Sequence, residues 1–413
     1  MRKQKTSNLG SIEFADSDAP DQVAKIKVIG VGGAGGNAVN RMIQEGVTGV
    51  EFIVCNANLQ ALQRSSASVK IQIGEDITRG LGAGGDPEVG KQAALADVGR
   101  LSDALDRADM VFVIAGLGGG TGTGAAPIVA RLAKELGALT VGVVSMPFAF
   151  EGLQRARSAE QGLEELRGSV DSLVAVPNER LLRSATKAVS VVEAFVMADE
   201  VLTQAVRGIS DIVLLPGLIN VDHSDVRATM IERGIALMGT GVATGSNRAL
   251  EAVQRAISSP LLGEASIEGA KSLLVNLTGG PNVELGEVNE AMMMIHDAAD
   301  REANIIFGAV IDDRLTDELR ITVIATDFGA QGGSPESVHR TPAMKAPAYT
   351  IDDLHAKFDT LLARMQTPEA KRGAKAAFDL SSDELGRFAR EASRRPVEDG
   401  LDIPAFMRRP VSK

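Results

Sequence analysis

The fold is decided by the stretch Ala115-Gly-Leu-Gly-Gly-Gly-Thr-Gly-Thr-Gly-Ala-Ala-Pro127. It follows the apolar run Met110–Ala115, which predicts a buried strand, and it leads into Ile128–Leu136, whose apolar residues have helical spacing. Five glycines and two threonines make up Gly118–Gly124, so backbone N–H groups are left uncrowded at the positive end of the predicted helix. Such a loop binds phosphate, whereas a turn made only for packing needs one or two glycines.

Length and composition restrict the class of protein. The 413 residues, 44% of them apolar, are sufficient for two packed domains. The net charge of −11 argues against nucleic acid as a partner, because the phosphate backbone would be repelled. The single cysteine, Cys55, excludes an internal disulfide framework and fits a reducing cytoplasm. No apolar run has the length of a membrane span, so we expect membrane association only indirectly, through a partner.

A second strand, glycine loop and helix is predicted in Ala24–Val39. Gly30, Gly32 and Gly35 match the spacing of a dinucleotide-binding fingerprint, which makes a dinucleotide-dependent oxidoreductase a rival interpretation. That fingerprint also requires an acidic residue after the next strand, but here the next predicted strand is followed by Asn56. This difference, together with the absence of a catalytic acid–base set, disfavours the oxidoreductase.

A third glycine-rich segment, Thr78–Gln92, contains most of a P-loop pattern in Gly85–Lys91. Gln92 stands where a P-loop has its magnesium-binding Ser or Thr, and Asp86 and Glu88 would repel phosphate. We therefore reject the P-loop. The three glycine loops follow successive strands, which predicts a nucleotide at the carboxyl edge of a parallel sheet.

The loop Gly118–Gly124 resembles the signature loop of the tubulin and FtsZ superfamily of GTPases, and the other motifs extend the resemblance from about Lys25 to Phe328. The resemblance implies an α/β fold with an N-terminal Rossmann-like GTPase domain built on a parallel sheet. A long central helix connects this domain to a second, smaller α/β domain, and a flexible C-terminal tail follows. It also implies GTP or GDP as the ligand, with Mg²⁺, and no separate protein metal site.

The resemblance sets the expected domain boundaries. They are a disordered N-terminal arm at 1–22, a GTP-binding domain at 23–188, the central helix at 189–212, an activation domain at 213–328, a linker at 329–399 and a partner-binding peptide at 400–413.

By resemblance, the nucleotide pocket contains the three glycine loops, Asn37 near the base, and two pairs of side chains. Glu151 and Arg155 are four residues apart at the start of a predicted helix and so share a face. They are expected to hold the ribose and reach the phosphates, although a surface ion pair is the simpler alternative. Phe195 is expected to stack on guanine and Asp199 to accept its N1 and N2 hydrogens, although Phe195 also suits an ordinary core. The predicted binding residues are Gly33, Ala34, Gly35, Gly36, Asn37, Gly84, Gly85, Gly118, Gly119, Gly120, Thr121, Gly122, Thr123, Glu151, Arg155, Phe195 and Asp199.

The stretch Leu214–Val226 interrupts the helical pattern and starts a new helix. Acidic residues at a helix start usually cap it, but capping needs only one carboxylate. The stretch resembles the family's loop that contacts the nucleotide of the neighbouring subunit. We therefore predict Asn220, Asp222 and Asp225 as the catalytic residues, acting at the subunit junction.

Two positions depart from the family's usual pattern. Asn56-Ala57-Asn58 replaces Asn-Thr-Asp, and Ala198 replaces an Asn that precedes the base-binding Asp. The departures remove a hydroxyl, a carboxylate and an amide near the nucleotide, which can slow hydrolysis or weaken binding. A weakly hydrolysing filament is therefore a variant of the hypothesis.

The implied function is that of a GTPase that polymerises head to tail into filaments of the bacterial division ring, in the cytoplasm at mid-cell. A nucleotide-gated filament for another task, such as plasmid or organelle positioning, is the alternative. The end of the chain favours division, because residues 400–410 resemble the family's peptide that docks on division partners such as an actin-like membrane anchor. Apolar contacts there come from Ile403, Phe406 and Met407, and charge comes from Arg408 and Arg409.

Deletion of Leu401–Lys413 is expected to leave GTP hydrolysis and assembly intact, because the peptide lies beyond a predicted linker. Recruitment to membranes by partner proteins should be lost. Phosphate release and light scattering of the truncated chain, compared with the full-length chain, measure the first part. Loss of GTPase activity on truncation would show that the tail is part of the fold.

Overall fold

The computed structural model describes residues 24–184, 189–215, 217–219, 221–231, 234–262 and 267–328. The expected N-terminal arm, linker and C-terminal peptide lie outside these described residues. The described strands are β1 Ile26–Val31, β2 Val50–Asn56, β3 Val69–Gln72, β4 Met110–Gly116, β5 Leu139–Met146, β6 Ser172–Pro177, β7 Gly217–Ile219, β8 Gly234–Thr244, β9 Ala270–Gly279, β10 Asn304–Ile311 and β11 Glu318–Phe328.

The helices alternate with the strands through the first domain. They are α1 Gly32–Gln44, α2 Leu59–Gln63, α3 Glu75–Thr78, α4 Pro87–Ala96, α5 Val98–Leu105, α6 Thr121–Glu135, α7 Leu153–Arg167, α8 Asn178–Ser184, α9 Val191–Leu214, α10 His223–Met230, α11 Arg248–Ile257 and α12 Leu285–Ala298. Among these described helices, none has the length and hydrophobicity that a bilayer crossing requires.

The first domain is built on a six-stranded parallel sheet. Its strand order, β3-β2-β1-β4-β5-β6, is that of a Rossmann fold, as the sequence predicted. Helices cover both faces, which is why a strand such as β4 is an unbroken apolar run. Alternate residues of β1 enter two cores: Val28 packs with side chains of α1 and α9, and Ile29 packs with side chains of α4 to α7.

The second domain continues the sheet in the order β8-β11-β9-β10-β7. Its strands are mixed, because only β9 and β10 are parallel while the other neighbours are antiparallel. Helices α11 and α12 cover one face around a core that includes Val253, Ile295 and Val323. The domains are joined through β6 and β8, whose parallel register covers three residue pairs, from Ser172↔Gly234 to Val174↔Ala236.

Helix α9 connects the two domains. A capping box starts it: Ser190 Oγ accepts from the Glu193 N–H at 3.2 Å, and a Glu193 carboxylate oxygen accepts from the Ser190 N–H at 2.8 Å. Its 24 residues span about 36 Å. Gly208 lets the helix approach β11, because a Cβ at this position would lie 2.7 Å from Thr322 Cγ2. The helix begins and ends two residues later than predicted.

Asp211 is a partly buried acid on α9. Burial raises the pKa of its carboxyl to about 6, an effect that Arg207 and Arg320 oppose. Asp312 raises this pKa further and Arg314 lowers it. Because the net shift is upward, the ionised carboxylate destabilises the folded protein at neutral pH.

Asp211→Asn is expected to stabilise the fold at neutral pH by on the order of 1 kcal/mol. The folded-state pKa of about 6 lies above the ordinary value of 3.8, so stability present at low pH is lost as pH rises through this window. The Asn variant lacks that loss. Its free energy of unfolding in urea should therefore exceed the parent's by an amount that grows between about pH 4 and pH 7. Asp103→Asn, at an exposed site, is the control. Destabilisation by Asp211→Asn at pH 7 would show that attraction to the arginines outweighs burial.

Candidate functional site

Two helices begin side by side at the carboxyl edge of the first domain. Helix α1 follows β1 and helix α6 follows β4, and these strands are neighbours in which Val31 pairs with Ala115. Gly32 has a φ of 75°, and a Cβ there would lie 2.7 Å from the Gly122 nitrogen. The glycines therefore let the amino-terminal ends of α1 and α6 converge on one space.

The amino-terminal N–H groups of α1 and α6 are available to a ligand. No described side chain caps either helix, and neither has an acidic residue in its first turn. Other helices differ, since Asp86 caps α4 and Ser190 caps α9. Two uncapped helix ends directed at one space are suited to bind phosphate.

The signature loop is fixed by its own side chains and by close contacts. Thr123 Oγ1 accepts a hydrogen bond from the Gly118 N–H at 2.8 Å, and both Thr121 and Thr123 are buried. A Cβ on Gly120 would lie 2.8 Å from the Ala83 Cβ, so the third glycine segment lies against this loop. Gly122 is equally confined, since a Cβ there would lie 2.7 Å from the Gly116 carbonyl oxygen.

Four predicted binding glycines instead face open space. A Cβ on Gly33, Gly84, Gly85 or Gly119 would meet no protein atom within 4 Å. Gly84 and Gly85 also have positive φ values of 61° and 84°, which favour glycine. At Gly33 and Gly119, neither φ nor packing requires glycine, so close approach of a ligand to the backbone is the remaining physical reason.

The remaining residues of the first loop lie on α1 with different surroundings. Gly35 is confined by strand backbone, and a Cβ on Gly36 would make an ordinary 3.4 Å contact with Val54. The Ala34 Cβ lies over Gly116, and Asn37 is exposed. Asn37 shares a helix face with Arg41, whose Nη2 lies 3.9 Å from Glu200 Oε2 on α9. Asn37 is thus on the side of α1 that faces α9.

Glu151 and Arg155 form an ion pair, with 3.1 Å between Oε2 and Nε. The sequence placed both at the start of one helix, and this was wrong. Glu151 ends the 3-10 turn Ala149–Glu151, and Gly152, with a φ of 101°, separates it from α7. The pair still lies beside the signature loop, because a Cβ on Gly118 would be 2.7 Å from Arg155 Cγ.

Three phenylalanines lie together at the amino-terminal end of α9. Phe195 is 41% exposed and meets the rings of Phe148 and Phe150 edge-on, with centroids 5.4 and 6.4 Å apart. Phe148 and Phe150 stack on each other at 5.1 Å. The sequence alone predicted no role for these two partners, although they form a Phe-x-Phe motif shortly after β5. A half-exposed ring held by two others is suited to stack on a base.

Asp199 lies one helical turn after Phe195. Burial raises the pKa of its carboxyl to about 6, and Arg41 opposes the shift. Within the described part of the chain, no side chain bonds to this carboxylate. It is therefore a partly desolvated acceptor that lacks donors of its own, as a carboxylate reserved for a ligand should be.

The third glycine segment does not form a P-loop. Asp86 accepts from the Glu88 N–H at 2.9 Å and so caps α4, which closes that helix end to phosphate. The turn Asn56-Ala57-Asn58 also uses its own side chains. Asn56 Oδ1 accepts from the Asn58 N–H at 3.0 Å, and Asn58 caps α2 through the Ala61 N–H.

The predicted catalytic acids lie far from this pocket. Asp222 and Asp225 are exposed at the start of α10, beyond the carboxyl end of α9, whereas Asp199 lies near its amino-terminal end. Asp222 also caps α10, accepting from the Asp225 N–H at 2.9 Å, so the simpler alternative is part of its role. Asn220 lies outside the described residues.

Residues 25–186 match the model of the Tubulin/FtsZ family, GTPase domain, and residues 234–329 match the FtsZ family, C-terminal domain. The chain is 47% identical to the cell division protein FtsZ of Pseudomonas aeruginosa over 399 residues, which cover 96% of this chain and 99% of that relative.

Two solved structures extend the comparison. An FtsZ dimer from M. jannaschii is 40% identical with a TM-score of 0.72, covering 78% of this chain and 95% of that one. CetZ2 from Haloferax volcanii, solved as a GTPγS-bound protofilament, is 27% identical with a TM-score of 0.62, covering 73% and 92%. With its glycine loops, its Rossmann-like sheet and its two matched domains, this chain belongs to the Tubulin/FtsZ family of GTPases.

Proposed function

We propose that this chain polymerises head to tail and hydrolyses GTP where two subunits meet. The observation that carries the proposal is the separation of two groups that hydrolysis needs. The uncapped ends of α1 and α6 lie at one end of α9, and the exposed acids Asp222 and Asp225 lie beyond its other end. A subunit stacked on the next can bring its acids to the neighbour's pocket. The dimer and protofilament of the related structures support such stacking.

Within the pocket, the phosphates occupy the space between α1 and α6, where the exposed backbone of Gly33 and Gly119 allows close approach. Glu151 and Arg155 hold the ribose and contact the phosphates. The base lies against Phe195, with Asn37 beside it. Asp199 accepts hydrogen bonds from N1–H and the exocyclic amine of guanine, a pattern that adenine does not offer.

Mg²⁺ fits this site as an ion that arrives with the nucleotide. The described residues contain no cluster of three or more His, Cys, Asp or Glu that would form a protein cage. Mg²⁺ is usually held by substrate phosphates and waters with few protein ligands, so a cage is not required. When bound, it would neutralise phosphate charge during phosphoryl transfer.

The acids at the start of α10 supply carboxylate oxygens that can orient the attacking water, which the pocket lacks. Asp222 Oδ1 is engaged as the helix cap, which leaves Oδ2 free to accept from a water molecule. The carboxylate of Asp225 has no partner among the described side chains and is exposed. Placed at the neighbour's γ-phosphate, these oxygens orient and polarise the attacking water. Asn220 completes the set by resemblance to the family.

The cellular role that we propose is based on the relative from Pseudomonas aeruginosa, which is named a cell division protein. We assign this chain to cytoplasmic filaments of the division ring at mid-cell. Division proteins, including an actin-like membrane anchor, would bind residues 400–410, which lie outside the described residues. Membrane contact is then indirect, and no nucleic acid takes part.

Asp199→Asn is expected to change the preferred base from guanine to xanthine. An amide still accepts from N1–H, but its NH₂ meets the donor amine of guanine unfavourably and the 2-oxo group of xanthine favourably. In the parent, GTP affinity should fall below about pH 6, where the carboxyl takes up a proton. Fluorescent GTP and XTP titrations at several pH values measure both effects.

Asp211→Asn is the matched control, since Asp211 lies on the same helix with its pKa also raised to about 6. It should keep the parent's base preference and the parent's pH profile of binding. If Asp199→Asn retained full preference for GTP, the base-recognition role of Asp199 would be wrong.

Asp225→Asn and Asp222→Asn are each expected to bind GTP and polymerise while hydrolysing little. Asn caps helices about as well as Asp, so Asp222→Asn removes charge and keeps the cap, whereas Asp222→Ala also loses about 1 kcal/mol of helix stability. Asp199→Ala should bind GTP poorly yet keep working acids. Phosphate release is measured for Asp225→Asn and Asp199→Ala separately and mixed, at equal total protein and under conditions where both enter polymer.

Recovery in the mixture well above the sum of the two variants is the expected result, because some junctions pair an intact pocket with intact acids. Asp103→Asn mixed with Asp199→Ala serves as the control for dilution. Strictly additive activity would return the catalytic residues to one subunit.

A further inference from the structure

Helix α10 has two unlike ends. Its first residues follow the exposed Asp222 and include the exposed Asp225, while Val226, Thr229 and Met230 toward its carboxyl end are buried. The helix has eight residues and is about 12 Å long. A displacement of the buried end is therefore transmitted to the acids across two turns of helix.

The last-turn carbonyls of α10 are bonded to hydroxyls from both domains. Ser172 Oγ, on β6 of the first domain, donates to the Met230 carbonyl at 2.5 Å. Thr326 Oγ1, on β11 of the second domain, donates to the Thr229 carbonyl at 3.1 Å. Ser172 and Thr326 are both fully buried. Carbonyls at a helix end lack partners within the helix, so these bonds fix where the end lies.

A third bond ties α10 to the helix that begins at the phosphate loop. Arg227 Nη1 donates to the Gly137 carbonyl at 3.3 Å, and Gly137 follows the carboxyl end of α6. No carboxylate in the described residues pairs with Arg227, so its charge faces the negative end of the α6 dipole. The pocket and the acids thus attach to opposite ends of α6.

We propose that Ser172, Arg227 and Thr326 are positioning residues for GTP hydrolysis, which hold α10 so that its acids meet the neighbouring subunit's nucleotide. The inference rests on the proposed function. Its second support is the place where the sheets of the two domains join: β6 and β8 share three residue pairs, and Ser172 belongs to the first. The two hydroxyls lie on opposite sides of that connection. Both can bond to α10 at once only when the domains keep one relative orientation.

The test is the double variant Ser172→Ala/Thr326→Val in the full chain. Phosphate release per polymerised subunit should fall about ten-fold, because misplacement by a fraction of an ångström weakens catalysis steeply. GTP affinity and the amount of sedimented polymer should match the parent, since neither hydroxyl touches the pocket. Thr326→Ser keeps the bond and should retain parent activity.

Ser169→Ala is the matched control. The Ser169 hydroxyl is also buried and donates to a carbonyl near a helix end, that of Glu165 on α7, at 2.9 Å. It should cost similar stability and leave hydrolysis unchanged. Mixing the double variant with Asp199→Ala should restore activity, because the double variant keeps its pocket and Asp199→Ala keeps well-placed acids.

The outcomes separate the two proposals. Normal hydrolysis by the double variant, with Asp225→Asn inactive in the same assay, overturns the positioning role alone. Full activity of Asp225→Asn overturns the proposed function itself. Loss of GTP binding or of polymer in the double variant, or the same loss of hydrolysis in Ser169→Ala, shows a general structural role and also overturns the inference.

Discussion

The convergence of two helix N-termini is the constraint on which the rest of the structure depends. Helices α1 and α6 can meet only because β1 and β4 are neighbours, and this requires the chain to reverse its direction of strand addition after β3. Their N–H groups carry partial positive charge toward one space, and neither helix has an acidic residue in its first turn to neutralise that charge. The glycine contacts between the loops, such as Gly32 against Gly122, then follow from the need to bring two backbones together.

Helix α9 links the end of the first domain where α1 and α6 converge to the second domain. Its amino-terminal turns present Phe195 and Asp199 beside α1, and its carboxyl end leads to α10. Buried side chains along its length join the core of the first domain to strands of the second, including Ile324 of β11. The binding groups and the hydrolytic groups that we propose therefore belong to one continuous piece of chain, and in the proposed arrangement they act on different bound nucleotides.

The parts of the fold that could be predicted are those encoded locally. Apolar runs followed by glycines indicated the strands and the glycine loops that follow them, because both signals lie within a few residues of each other. Contacts between distant segments could not be predicted: the packing of Phe148 and Phe150 on Phe195 joins residues about 45 positions apart in sequence. The break between Glu151 and α7 at Gly152 could not be predicted, because a glycine within a helical pattern does not itself specify a positive φ. The bonds within Asn56-Ala57-Asn58 likewise depended on backbone geometry. Capping by Asp222, in contrast, was the simpler alternative that the sequence already offered.

The placement of pocket and acids at opposite ends of α9 has an arithmetical consequence. If each complete site is shared by two subunits, as proposed, an open filament of n subunits contains n − 1 complete sites, and an isolated subunit contains none. The two terminal subunits are then unlike: one holds a nucleotide that no acids reach, and the other presents acids with no nucleotide to act on. The time for which each nucleotide has been open to hydrolysis therefore depends on its position in the filament. Hydrolysis of the terminal nucleotide begins only when another subunit arrives.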